Sequence, residues 1–194
     1  MSTMAEPAMT RFPVPDPESL PEDIRERIEY EEERSGFRPN VLEAFAYSPH
    51  QFRAFFDYHD AIVDHSALDR EEIEMIVVAV SGANDCLYCI VAHGALLRIY
   101  AKDPYLAEQI ATNHRTANIS DARKAMCDVA VKLTETPAAV DEADLERLRE
   151  HGYSEEEIWD IGSTAALFNL SNRMAQFADM RPNEEFYTLG RGEQ

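Results

Sequence analysis

The chain has 194 residues, 45% of them apolar, and a formal charge of −19 at pH 7, which suits one domain with a proper core or two small halves around a shared one. Its unbroken apolar runs, such as residues 75–80, fall far short of the roughly 20 residues a membrane helix needs. The acidic balance, with no Lys/Arg stripe, repels phosphate backbones and argues against nucleic acid as a partner.

Residues 1–11 lack the basic-then-apolar layout of a secretory signal and read as a flexible leader, so a cytoplasmic protein is expected. A Pro-rich lead-in, Phe12-Pro13-Val14-Pro15-Asp16-Pro17, opens what is expected to be a single helical domain over 12–190, followed by a tail at 191–194. Nearly every later segment has helical spacing and helical punctuation, and the fold class is all-α. A first helix is predicted over 21–35, stopped by Gly36. It carries much of the acidic excess, read as a solvated face that serves solubility, with docking of a basic partner as the other reading. A short helix follows near 41–46. Ser48 before Pro49 then reads as a cap and first-turn proline, opening a helix whose Phe52, Phe55, Phe56, Tyr58 and Ile62 require burial on one side.

Asp69 with Glu72 has the spacing of a capping box, and Ile73, Ile76, Val77 and Val80 share a face on the helix it starts, which should end near Gly82. Asp85 is expected to cap the next helix, running from Cys86 to about Tyr100. Asp103-Pro104, Ser120 and Asp141 mark three further starts, the last of these helices ended by Gly152, and Ser154 with Glu157 opens a long helix through Ala178. Sliding the sequence by 85 positions superimposes Glu71, Glu72, Ile73, Ile76 and Asn84 on identical residues, Glu156, Glu157, Ile158, Ile161 and Asn169. In that register Cys86 meets Ser171 and Cys89 meets Met174, so two pseudo-repeated halves or the ordinary likeness of amphipathic helices both fit.

The chemistry concentrates in Asn84-Asp85-Cys86-Leu87-Tyr88-Cys89-Ile90-Val91-Ala92-His93. Three cysteines cannot make a disulfide framework, and a C-x-x-C in a reducing compartment points to redox or metal chemistry. At about 100° per residue Cys86, Cys89 and His93 share one helix face, and side chains leaning toward the N-terminus bring the imidazole back over Cys89. The free N–H groups and dipole of a helix start favour a thiolate there, and bare electrostatics favours Cys86. His93 can supply or relay a proton. Glu74, twelve residues before Cys86 in an apolar stretch, is expected to be at least partly desolvated, the setting that suits acid–base work. Zinc held by Cys86, Cys89, His93 and Glu74 is the competing reading, weakened because structural zinc sites usually gather two separated ligand pairs. A c-type haem would need His directly after the second cysteine, where Ile90 stands. Plain structural roles remain open for His93, as a core histidine, and Glu74, as a surface carboxylate, and Cys127 reads as a buried small apolar residue.

This constellation resembles the alkylhydroperoxidase D-like and carboxymuconolactone decarboxylase family, and more closely its peroxidase-related branch. The resemblance rests on Glu74, the twelve-residue interval, Cys86-x-x-Cys89 and His93, and extends to Arg38-Pro39-Asn40-Val41-Leu42, Ser48-Pro49 and Phe168-Asn169-Leu170-Ser171-Asn172-Arg173. It implies an all-helical AhpD-like fold assembled into homo-oligomers (dimers, trimers or hexamers) and a peroxidase cycle without haem, metal or bound cofactor. By the same resemblance Cys89 attacks the hydroperoxide, Cys86 resolves the product into a disulfide, Glu74 and His93 relay protons, and a lipoyl-bearing or thioredoxin-like dithiol restores the pair. Tyr88 departs from members that place a second histidine between the cysteines, which implies a simpler relay and weaker activity. Two other readings are a thiol–disulfide oxidoreductase with weak peroxide turnover and a non-catalytic oligomer whose thiols sense oxidants. The decarboxylase arm of the family lacks the cysteine pair, so the pair argues against that chemistry.

Overall fold

The computed structural model describes residues 7–192, and regular structure there is helical apart from one isolated β-bridge between Met9 and Met180. In chain order the α-helices are α1 (Glu22–Ser35), α2 (Asn40–Phe45), α3 (Pro49–His65), α4 (Arg70–Ala83), α5 (Leu87–Ala101), α6 (Leu106–Asn113), α7 (Asp121–Glu135), α8 (Glu142–Glu150) and α9 (Glu155–Ala178). The expected all-α class is what the chain adopts.

Local chemistry accounts for most boundaries. Gly36 ends α1 at φ 81°, a left-handed position that costs a glycine little. Capping boxes start α4 at Asp69 and Glu72, α8 at Asp141 and Asp144, and α9 at Ser154 and Glu157, each satisfying N–H groups that a helix start leaves open. Two expected caps outside the α4–α5 turn differ. Ser48 precedes α3 without a side-chain cap bond. Asp103 accepts from the Tyr105 N–H and belongs to the turn before α6, which begins only at Leu106.

Helix α4 is the axis of the fold. Nine consecutive residues, Ile73 through Ser81, are buried, as befits a helix enclosed on all sides, and α5, α6, α7 and α9 pack around it. At Gly82 a Cβ would lie 2.5 Å from the Ala111 carbonyl oxygen, so a glycine lets α4 and α6 approach. Helix α3 buries Phe52, Phe55, Phe56 and Ile62, with Phe55 stacked on Phe45 of α2 at 4.2 Å, while Tyr58 faces outward.

The leader does not extend to Arg11 as expected. Ala8 and Met9 are buried, and backbone bonds from Thr10, Arg11 and Arg181 tie the segment to the end of α9; residues 1–6, and 193–194 of the expected tail, lie outside the described residues. Near the C-terminus buried Arg98 donates to the carbonyls of Phe186 and Leu189, clamping the segment after α9 across α5. No helix among the described residues is long and apolar enough to cross a membrane.

Candidate active site

The turn between α4 and α5 sets the positions of the two sulfurs. Asp85 takes the left-handed conformation at φ 53°, which reverses the chain so that the Cys86 N–H donates to the Ser81 carbonyl at 3.0 Å. Cys86, not the expected Asp85, is therefore the N-cap of α5, with Cys89 in the first turn. Helix α9 holds this turn from the side. The Asn84 amide donates to the side-chain oxygens of Asn169 (3.0 Å) and Asn172 (2.9 Å), the Asn172 amide donates to Ser81 Oγ (3.0 Å), and Gln176 donates to the Asn84 carbonyl. Asn84 and Asn169, equivalent in the 85-residue register, thus bond to each other. Ser171, the counterpart of Cys86 in that register, places its Oγ 3.9 Å from Cys89 Sγ.

Both thiols are free and each residue is only 1% exposed. Contact with the Cys89 thiol lowers the pKa of Cys86 against the cost of burial, helped by the Cys89 N–H, the Asn172 amide and the Tyr88 N–H. The same contact, then burial and the Cys86 charge, push Cys89 well above an ordinary thiol. Of the two thiols Cys86 is the one biased toward ionisation, at a helix start that favours negative charge.

Glu74 projects from the middle of α4 and is 1% exposed. One oxygen accepts from Arg70, one turn earlier, at 3.1 Å, and the other lies 2.8 Å from His93 Nδ1. With Nδ1 engaged, His93 has Nε2 free, and its ring packs edge-on against Phe168 at 4.7 Å. An ionised carboxylate on Nδ1 fixes the tautomer whose Nε2 can accept a proton.

These groups meet at a cavity of about 180 Å³ with a largely apolar wall that includes Leu42, Phe55, Phe168 and Phe186, interrupted by Cys89, His93 and His59. Cys89 and Ser171 line it; Cys86 does not. A wider vestibule of about 840 Å³ shares His93 and His59 with the inner cavity and is walled by Glu74, Arg70 and Tyr100. Tyr88, the position of the departure, is buried on the inner wall, and its hydroxyl accepts from the Val41 N–H at 3.0 Å. It secures the start of α2, and burial pushes its acidity away from use as a proton source. Cys127, buried in α7 outside this cavity, is pushed up to about 12 by burial and the nearby Asp128 charge. Among the described residues no three His, Cys, Asp or Glu side chains converge as metal ligands.

The four residues singled out from sequence, Glu74, Cys86, Cys89 and His93, are thus brought to one region, with Cys86 behind the wall. Sequence reasoning missed the parts of the site supplied from afar: Ser171 and Asn172, which had only a flanking string to mark them; Arg70, legible as an i, i+4 partner of Glu74; and His59, hidden in the aromatic face of α3.

The carboxymuconolactone decarboxylase family model matches residues 49–126, from α3 into α7. No curated protein matches the chain. Among solved structures it is similar to an alkylhydroperoxidase AhpD core, an uncharacterized peroxidase-related protein from Ralstonia eutropha JMP134, at 50% identity and TM-score 0.94, covering 98% of this chain and 100% of that one. An uncharacterized peroxidase-related protein from Silicibacter sp. TM1040 is 38% identical, with TM-score 0.89 over 98% of this chain and 100% of that one. The debrominase Bmp8 shares the fold, at 20% identity and TM-score 0.73 over 87% of this chain and 90% of that one.

Proposed function

The chain belongs to the carboxymuconolactone decarboxylase family, in its AhpD-like, peroxidase-related branch, and from that premise we propose that it is a thiol-dependent hydroperoxide reductase in which Cys89 attacks, Cys86 resolves, and Glu74 with His93 moves protons. The observation that carries this reading is that Cys89 is the cysteine on the cavity wall, beside a histidine anchored to a buried carboxylate.

Acidity and access point to different sulfurs, and the mechanism uses both facts. Ionisation is favoured at Cys86, which does not line the cavity. Removal of the Cys89 proton, by His93 Nε2 or by the touching Cys86 thiolate, places the charge on the sulfur that a peroxide can reach. Cys89 sulfur then bonds to the terminal peroxide oxygen, the O–O bond breaks, and the electron pair leaves with the alkoxide, giving Cys89 sulfenic acid and, once protonated, an alcohol. Cys86 attacks the sulfenic sulfur, hydroxide departs and is protonated to water, and the disulfide is reduced by exchange with an external dithiol. A low-pKa Cys86 also suits the later exchange step, since the better leaving thiolate departs faster.

Cys89 is reached through a cavity of only about 180 Å³ and Cys86 is buried beyond it, which favours small peroxides and a slender dithiol arm, such as a lipoyl group, over a folded protein surface. That is the reason to prefer peroxide reduction to protein disulfide exchange. The proposal includes cytoplasmic residence, one working domain over 12–190 and assembly into homo-oligomers; exposed Trp159, Leu170 and Phe177 along one side of α9 supply apolar surface for assembly. The test is peroxide consumption with a dithiol reductant by Cys89→Ser and Cys86→Ser proteins. Cys89→Ser is expected to consume none, and Cys86→Ser to make a single turnover that ends in trapped sulfenic acid. The reverse pattern would exchange the two roles, and activity in both variants would remove the pair from the reaction.

A further inference from the structure

A second histidine–carboxylate pair brings its histidine to the same cavity from another helix, α3. His59 lies on the buried face of α3, following Phe52, Phe55 and Phe56 at helical spacing, and lines both the inner cavity with Cys89 and the vestibule outside it. Its Nδ1 is 3.0 Å from Asp60 Oδ1, and Asp60 is gripped in turn by Arg27 through contacts of 2.6 and 3.1 Å. The arrangement repeats the one across the cavity, where Arg70 holds Glu74 and Glu74 holds His93 Nδ1. The Phe168 ring neighbours both imidazoles, 4.7 Å from His93 and 6.5 Å from His59.

Two such pairs match a reaction that needs a proton removed in one place and delivered in another. We propose that His59 is the proton donor to the leaving oxygen of the hydroperoxide, whose alkoxide cannot depart well unprotonated. The inference rests on the peroxidase reading and extends it to the second half of the bond cleavage. As Cys89 sulfur bonds to the terminal oxygen and the O–O bond breaks, the electron pair goes to the inner oxygen, which takes the Nε2 proton of a His59 imidazolium; the ring is left neutral with its Nδ1–H on Asp60. The sulfur is oxidised by two electrons, the peroxide is reduced by two, and His59 recovers its proton from water in the vestibule. Asp60 fixes the ring: held ionised by its bonds to His59 and Arg27 against the cost of burial, it keeps Nδ1 occupied and aims Nε2 away, the role the carboxylate plays in any histidine dyad.

The experiment compares two oxidants on the reduced protein by stopped flow: an alkyl hydroperoxide, whose leaving alkoxide needs a proton, and a peroxyacid, whose leaving carboxylate does not. His59→Gln is expected to slow thiol oxidation by the alkyl hydroperoxide about 100-fold, a usual share for general acid catalysis, while the peroxyacid rate changes little. Asp60→Asn, which leaves His59 in place but removes its anchor, should show the same selectivity, and it carries the test if His59→Gln does not fold. Equal losses for both oxidants, or no loss for either, would overturn the role of His59. A wild-type protein that reacts with neither oxidant would instead overturn the peroxidase reading, and the donor role with it.

Discussion

Replacing Glu74 by Gln removes a charge and almost no volume, so its effects can be worked from the two contacts it makes. The carboxylate accepts from Arg70 and from His93 Nδ1. An amide has one acceptor and one donor end. If its oxygen stays with Arg70, its NH2 group faces His93 Nδ1, which must then become the acceptor; the ring proton moves to Nε2, and the base on the cavity wall is lost. The opposite orientation sets an NH2 group against the Arg70 guanidinium, donor against donor. The first arrangement costs less, so the reaction suffers more than the fold. Loss of a positioned base is expected to lower kcat/KM for an alkyl hydroperoxide roughly 100- to 10,000-fold, about 3 to 5 kcal/mol of transition-state stabilisation. The stability cost is smaller, about 2 kcal/mol, because the Arg70 side chain is 30% exposed and water replaces much of what it loses. In a chain of this size that is a fall in Tm of about 4–8 °C. Steady-state kinetics and thermal unfolding on the same preparation separate the two effects. A kcat/KM within about threefold of wild type, in a protein that has lost the expected stability, would show Glu74 to be structural and refute the argument.

Cys86 should lose its proton below the ordinary thiol value of 9.0 and Cys89 above it, so thiolate absorbance of the pair should rise in two steps in wild type, and in Cys86→Ser, which removes the largest cause of the Cys89 shift, the late step should move down toward 9; a single rise near 9 in wild type would contradict the assignment. The linked stability follows in sign: the Cys86 contribution is complete above about 9 and is lost as pH falls through its lowered folded value, whereas Cys89, raised on folding, costs stability as pH climbs past about 9. Cys127, raised to about 12 and fully enclosed, should resist thiol reagents at neutral pH until the protein is denatured, which thiol counting before and after denaturation checks. Tyr88→Phe removes the acceptor of the Val41 N–H and should cost about 1 kcal/mol in denaturant unfolding with peroxide kinetics unchanged; a large rate loss would put the hydroxyl into the reaction.

The helices were legible because their ends carry local signals: Asp69 with Glu72 and Ser154 with Glu157 act within one turn, whatever the rest of the chain does. The cap of α5 was not, because it depends on Asp85 adopting a left-handed conformation that only glycine, asparagine and aspartate reach readily, and that choice is stabilised by Asn169, Asn172 and Gln176 from the other end of the chain. The desolvation of Glu74 could be read from its apolar neighbours, and its partner His93 from the motif. The wall that includes Cys89 and not Cys86 could not, since Leu42, Phe55, Phe168 and Phe186 come from four separate segments. His59 escaped notice for a related reason: among phenylalanines at helical spacing it looks like one more core residue until Asp60, Arg27 and the cavity are seen around it. The leader was misjudged at residues 8–11 because its partner is the end of α9, a contact with no local trace.

The central claim is that a peroxide oxidises the Cys86–Cys89 pair through Cys89. It is tested most directly by mixing fully reduced protein with one equivalent of an alkyl hydroperoxide, quenching, and mapping the oxidised peptides by mass spectrometry. The account predicts a Cys86–Cys89 disulfide, stoichiometric alcohol, and an untouched Cys127 thiol. Peroxide left unconsumed, or consumed while both thiols of the pair remain free, would contradict it.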